Sequence, residues 1–374
     1  MNVHVMHLNE SLRRGGVERI LVDLANATSA DGHRVSTCLL EDGRDLANEL
    51  RPEIQLWVLA RRKRFEREAM KQFGSIVTEQ KVDLLHVHGR STYAFAALAR
   101  TLGFITIPIL LHDHYGQIET DASVPWWFRL WGHRYVDRYV GVYGKLADWA
   151  VRAGVPRART CVIGNAIDLE RVRDTRSASL RSEFGFAEAE RIGIVVCGLR
   201  REKGIPQLLE ALSKLSGRHA VKILVVGGER ETGHVAACKA KAFSLGLNDL
   251  IHFTGERADV PALIRGADFA LLPSLSESGP LVLIEYMAGG LPFVATLVGD
   301  IAHRVDKLGG SQFVPPRDPA AFAEALDRLL SLAPDDWRAR REASQRLAFD
   351  HFDVRQTMPR WYRMYREALR LIHA

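Results

Sequence analysis

Short, almost wholly apolar runs recur along this chain, each leading through a turn into a stretch with helical spacing. The run Val3-His4-Val5-Met6-His7-Leu8 comes first, Gly15-Gly16 turns it, and Val17, Ile20, Leu21, Leu24 and Ala25 follow at the spacing of an amphipathic helix. Parallel strands are joined by helices that cover both faces of their sheet, so such strands read as apolar runs rather than as an alternation. The unit repeats. Strands are predicted over 34–40, 55–59, 84–88, 108–112 and 139–142, with helices over 92–102 and 145–152. A second series is predicted over 192–197, 221–226, 251–253, 269–272 and 293–295, again with helices between. The fold class is therefore α/β, with two Rossmann-like, doubly wound parallel sheets.

The length of 374 residues suits two domains. The boundaries expected are 1–168 for an N-terminal domain, 169–352 for a C-terminal domain, and 353–374 for a helix returning to complete the first. The stretch 164–182 is the expected link. Trp361, Tyr362, Met364, Tyr365, Leu369 and Ile372 give that last helix an apolar stripe, the signature of a packing face. Ligands of open parallel sheets sit at the carboxyl ends of the strands, where the strand order reverses. Two such domains facing one another would enclose a deep cleft.

Composition narrows the classes. No apolar run approaches the roughly 20 residues of a membrane helix, and the opening segment lacks the basic and apolar regions of a signal peptide. The four cysteines, Cys38, Cys161, Cys197 and Cys238, form no CxxC pair and fit a reducing cytoplasm. A net charge of +6 is too mild to indicate nucleic-acid binding. Two local patches stand out. Arg61-Arg62-Lys63-Arg64 reads as a solvated segment or as a contact for an anionic membrane surface or anionic acceptor. The segment 125–131, rich in tryptophan, reads as core packing, as a membrane-interface helix or as a platform that stacks on a sugar.

The densest chemistry lies in Glu277-Ser278-Gly279-Pro280-Leu281-Val282-Leu283-Ile284-Glu285. A strand precedes it, and a helix is expected to begin near Pro280, a residue suited to the first helical turn. Backbone N–H groups around Gly279 and Leu281, together with the helix dipole, would then suit a diphosphate. Glu277 can reach sugar hydroxyls, and Glu285 can accept from a ribose diol. This stretch resembles the E-x7-E signature of the retaining glycosyltransferase family 4, whose members share the GT-B fold. The resemblance implies that Glu277 contacts the transferred sugar and that Glu285 holds the ribose.

The resemblance extends along nearly the whole chain. Gly15 and Gly16 are similar to the family's N-terminal glycine loop; they do not match GxGxxG, so no nicotinamide cofactor is expected. The segment Gly198-Leu199-Arg200-Arg201-Glu202-Lys203-Gly204 is similar to the family's G-R-L-x-x-x-K-G loop. Lys203 and Gly204 match, and Lys203 is implied to neutralise the departing diphosphate. The family's arginine position reads Gly198 here, so Arg200 or Arg201 is the expected substitute. His112 matches a histidine that in the family touches the donor sugar. Asn165-Ala166-Ile167-Asp168 resembles an interdomain motif, and Gly227-Gly228-Glu229 a loop near the base, which places Gly228 in the donor site. Val298-Gly299-Asp300 resembles in part a further glycine motif, after which His303 stands where an acidic residue is usual.

The function implied is retaining transfer of a hexose-type sugar from a UDP- or GDP-sugar to a hydroxyl acceptor. The acceptor implied is a glycan or lipid-linked glycan, in cell-surface polysaccharide or lipid-linked glycan biosynthesis. The enzyme would be cytoplasmic, with room for peripheral contact on the inner face of the membrane, and would not bind nucleic acid. Catalytic residues would be His112, Lys203 and Glu277; donor-binding residues would be Gly15, Gly16, Arg200, Arg201, Lys203, Gly228, Ser278, Gly279, Pro280, Leu281 and Glu285. No cofactor is expected, and no metal for the chemistry. His86, His88, His112 and His114 form two His-x-His pairs that could ligate a transition metal, yet no cysteine or glutamate pattern supports such a site. Two alternatives stay open: a GT-B nucleotide-sugar epimerase, and a non-catalytic nucleotide-sugar-binding protein.

Overall fold

The structure is a computed structural model and describes residues 3–173, 175–215, 217–307 and 312–370. Ile372 of the predicted apolar stripe lies outside the described residues. The chain forms two compact units, Met1–Ile167 with Val354–Ala374, and Asp168–Asp353.

The first unit carries a seven-stranded sheet of β1 (His4–Asn9), β2 (Arg34–Leu39), β3 (Gln55–Val58), β4 (Leu84–His88), β5 (Ile109–Asp113), β6 (Arg138–Gly141) and β7 (Thr160–Val162). Its order is β3-β2-β1-β4-β5-β6-β7, and every pairing is parallel. The order reverses between β1 and β4, where β1 leads into the helix Gly16–Ala30 and β4 into the helix Arg90–Thr101. Strands β1, β4 and β5 are buried along their whole length, as central strands covered on both faces must be.

The helix Val354–Arg370 belongs to this unit. Its backbone is tied in where Val354 N–H donates to the Ile167 carbonyl at 2.9 Å. Trp361 and Tyr365 are 2% and 3% exposed, so the stripe is a packing face. Arg138 Nε donates to Glu367 at 3.1 Å and Tyr362 Oη to Asp31 at 2.5 Å, which fix the helix's rotation.

The second unit repeats the architecture with six strands: β8 (Arg191–Val196), β9 (Val221–Val226), β10 (Ile251–Gly255), β11 (Phe269–Leu272), β12 (Phe293–Thr296) and β13 (Gln312–Val314). Its order is β10-β9-β8-β11-β12-β13, parallel throughout, so the order reverses between β8 and β11. The helix Leu281–Ala288 follows β11 and buries Leu281, Leu283, Ile284, Tyr286 and Met287. At about 1.5–3 kcal/mol for each fully buried large apolar side chain, this face anchors the helix end firmly. Pro280 is the residue before the first helical turn, with ψ 102°, rather than part of it. The reason is local: ψ 102° is extended, so helical dihedrals begin only at Leu281.

Candidate functional site

In the second unit, the loops after β8 and β11 leave the sheet side by side at the point of reversal. The first carries Lys203 and the second Glu277, and Lys203 Nζ donates to Glu277 Oε1 at 2.5 Å. Both side chains are largely buried, 16% and 10% exposed. Ser274 Oγ donates to the same Glu277 oxygen at 2.8 Å. The backbone around them is pinned from two sides. Leu275 N–H donates to the Glu202 carbonyl at 2.7 Å and Asp300 N–H to the Ser278 carbonyl at 2.8 Å, while Thr296 Oγ1 donates to the Ser274 carbonyl at 2.6 Å. Gly204 has φ +67°, and a Cβ there would collide with the Pro273 carbonyl. Only glycine lets the Lys203 turn approach so closely.

Ser278, Gly279 and Pro280 connect Glu277 to the helix Leu281–Ala288, whose first-turn N–H groups have no acceptor within the helix. Glu285 lies one turn further on and accepts from Arg171 Nη2 at 2.5 Å. Sequence reasoning missed Arg171, which stands far away in the chain on the short helix Glu170–Arg173. The second unit thus gathers two carboxylates, a lysine, an arginine and a helix N-terminus at the carboxyl end of its switch point, a geometry that suits a polyhydroxylated anion.

Arg200, Arg201 and Arg230 each have an acidic partner, Arg230 meeting Glu256 at 3.4 Å. Arg200 pairs with Glu202 at 3.7 Å, and Arg201, 82% exposed, pairs with Glu231 at 2.7 Å. The cation beside Gly198 is Arg230, whose Cγ lies 2.8 Å from where a Gly198 Cβ would sit. It comes from the loop after β9, which is joined to the Gly198 loop by Leu199 N–H to the Gly228 carbonyl at 2.8 Å and Arg230 N–H to the Leu199 carbonyl at 2.9 Å. In that loop the residue that must be glycine is Gly227, with φ +142° and the Cys197 carbonyl where a Cβ would sit; at Gly228 a Cβ would meet only the Glu256 side chain.

In the first unit, Gly15 and Gly16 lie at the end of the loop after β1, where Gly15 caps the helix Gly16–Ala30. Gly15 has φ −168°, an extended backbone that any residue adopts, and a Cβ would meet only the Glu18 carboxylate. In the same unit, imidazoles of β1, β4 and β5, with one just past β5, form a cluster of five. His7 of β1 stands opposite His86 of β4, and His88 of β4 opposite His112 of β5, with His114 two residues on. The His86 and His88 rings stack at 4.5 Å with planes 6° apart. Nitrogens pair as His7 Nδ1 with His88 Nε2 at 3.0 Å, His88 Nδ1 with His114 Nε2 at 3.4 Å, and His86 Nε2 with His112 Nδ1 at 3.2 Å. Burial holds His7 down to about 3; burial and then the neighbouring imidazoles push His86, His88 and His112 well below the usual histidine range. All are neutral at pH 7. The triads His7, His86, His88 and His88, His112, His114 each place one nitrogen per residue within 4.8 Å of one another and could offer them to a metal ion.

Of the basic segment, Arg61 is buried, 4% exposed, and paired with Glu10 and Glu41, so the solvated charge is confined to Arg62, Lys63 and Arg64. The helix Trp126–Leu130 divides: Phe128 is buried at 1%, whereas Trp126 is 72% and Leu130 63% exposed. No helix among the described residues is long and apolar enough to cross a membrane.

The profile described as Glycosyltransferase Family 4 matches residues 14–171, and that described as Glycosyl transferases group 1 matches residues 190–332. The chain is 26% identical over 305 residues to N-acetyl-alpha-D-glucosaminyl L-malate synthase of Bacillus anthracis, spanning 80% of this chain and 78% of that protein. It is 31% identical over 220 residues to D-inositol 3-phosphate glycosyltransferase of Frankia alni, spanning 56% of this chain and 54% of that one. Among solved structures, Anabaena HepE with UDP and glucose superposes with a TM-score of 0.79 at 21% identity, over 96% of this chain and 99% of that one. A glycosyltransferase from Rickettsia africae superposes at 0.83 and 18% identity, over 98% and 99%. The fold is GT-B, and with one profile on each unit the chain belongs to glycosyltransferase family 4, the group 1 glycosyl transferases.

Proposed function

We propose that this glycosyltransferase moves a hexose-type sugar from a nucleoside-diphosphate sugar to a hydroxyl acceptor with retention of anomeric configuration. The observation that carries the reading is the meeting of Lys203 and Glu277 at the β8/β11 switch point, beside the N-terminus of the helix that bears Glu285. Lys203 and the helix N-terminus would stabilise the charge that develops on the departing diphosphate. Glu277 would bind hydroxyls of the transferred sugar, and Glu285, steadied by Arg171, would accept from the ribose diol. Arg230, from its place beside Gly198, would supply the second positive charge. As the bond between the anomeric carbon and the phosphate oxygen breaks, the acceptor oxygen attacks from the same face, and its proton passes to the leaving phosphate.

Solved GT-B structures hold UDP and UDP-glucose, and a starch synthase of this fold holds ADP. They support a nucleoside diphosphate, with UDP the first base to try and GDP the second. Relatives named for L-malate and D-inositol 3-phosphate add those two compounds to an acceptor panel that begins with lipid-linked glycans. An epimerase would need an acid and a base beside the sugar, and the neutral, buried histidines make poor acids. The test is proton NMR of the product formed from an α-linked donor: an α-glycoside supports retention, and a β-glycoside overturns it.

A further inference from the structure

One buried chain of hydrogen bonds in the first unit is not used by the reading above. Tyr365 Oη lies 3.0 Å from His86 Nδ1, and His86 Nε2 lies 3.2 Å from His112 Nδ1. The chain ends at His112 Nε2, which is buried and has no hydrogen-bond partner among the described residues. Tyr365, His86 and His112 are 3%, 0% and 1% exposed, so no member is relieved by bulk water.

A neutral imidazole carries one N–H and one lone pair, so such a chain can run in only two directions. In one, the phenol donates to His86, His86 donates from Nε2 to His112 Nδ1, and His112 is left with its proton on Nε2. In the other, every proton is displaced, and Nε2 of His112 is a lone pair. The direction is set at the tyrosine. Burial raises the Tyr365 pKa, so the phenol keeps its proton and must donate it. Its hydrogen-bond partner is His86 Nδ1, at 3.0 Å. An imidazole nitrogen's lone pair is a strong acceptor, so the phenol proton goes to His86.

We infer that Tyr365, acting through His86, locks His112 in the tautomer with its proton on Nε2 and so makes it a fixed hydrogen-bond donor at the carboxyl end of β5. That this N–H meets the donor sugar is what the family resemblance implies for His112, and the sugar titration below rests on that reading; the tautomer itself does not. Tyr365 and His86 are positioning residues, and they lie on the C-terminal helix and the strand next to β5. A donor that cannot become an acceptor discriminates among sugar hydroxyls and ring oxygens without carrying a charge. Removing the phenol hydroxyl leaves an unsatisfied His86 Nδ1 in either direction, so the two tautomers of His112 become close in energy.

The experiment is nitrogen-15 NMR of the histidine rings in the full-length wild type and in Tyr365→Phe, alongside calorimetry with UDP and with the UDP-sugar. The expected wild-type spectrum shows His112 protonated at Nε2, and the variant shows a mixture of tautomers. The variant should bind UDP as before and bind the UDP-sugar about three- to tenfold more weakly, the worth of one neutral hydrogen bond. A wild-type His112 protonated at Nδ1, or a tautomer unchanged in Tyr365→Phe, overturns the inference whatever the activity. If the tautomer shifts but sugar affinity does not move in Tyr365→Phe or in His112→Ala, the placement of the sugar at His112 falls, and with it the role given to the lock.

Discussion

Lys203 Nζ stands 2.5 Å from Glu277 Oε1, although the two residues come from different loops of the second unit. Each is the other's counter-charge, and under the proposed function a diphosphate bound there would draw Lys203 partly away from Glu277. Lys203→Ala should therefore act twice. It should lower kcat/KM about a hundredfold or more through lost charge stabilisation, and should destabilise the second unit by about 1–3 kcal/mol by leaving a largely buried carboxylate without its counter-charge. Steady-state kinetics and urea unfolding, measured on the same preparation, check both effects.

The Arg171–Glu285 pair, also at 2.5 Å, predicts a different kinetic signature. If Glu285 binds the ribose and Arg171 only steadies it, Arg171→Ala should raise the donor KM about tenfold while kcat stays within a few-fold. A fall in kcat with KM unchanged would place Arg171 in the chemical step instead.

Gly204 is held at φ +67° against the Pro273 carbonyl. Gly204→Ala should cost roughly 1–3 kcal/mol from the backbone strain alone, and should lower donor affinity because the turn that aims Lys203 must shift. Differential scanning calorimetry and donor titration read the two consequences separately.

Acid should expose the histidine cluster. His7 is held near 3 in the folded chain against an ordinary value near 6.5, so below pH 6.5 the unfolded chain takes up a proton that the native one refuses. Its contribution is complete above pH 6.5 and is lost as the pH falls toward 3. By pH 5 the loss from His7 alone is roughly 2 kcal/mol, and His86, His88 and His112 add to it in the same sense. Denaturant unfolding at pH 7.5 and pH 5 should show a large difference for the wild type and a smaller one for His7→Gln.

The central strands and the helices between them were legible because burial on both faces leaves continuous apolar runs. β7 and β13 were not, since three residues at a sheet edge, Thr160–Val162 and Gln312–Val314, carry too little pattern to stand out. The alternation of His86 with His88 and of His112 with His114 announced a shared face, but not that the rings bond one another and end on Tyr365. Tyr365 arrives from the far end of the chain. Arg230 shows the same limit: the cation that stands beside Gly198 comes from the neighbouring strand's loop, which spacing within a motif does not reveal. Arg61 looked like part of a solvated basic run, yet acidic partners from other loops, Glu10 and Glu41, bury it.

The most direct test of the donor site is calorimetric titration of UDP-, GDP- and ADP-sugars into the wild type and Glu285→Ala. One nucleotide-sugar should bind the wild type, and its affinity should fall at least about tenfold in a Glu285→Ala protein that melts as the wild type does. If none binds, or if the variant binds equally well, the site built on Lys203, Glu277 and Glu285 is not where this enzyme holds its donor.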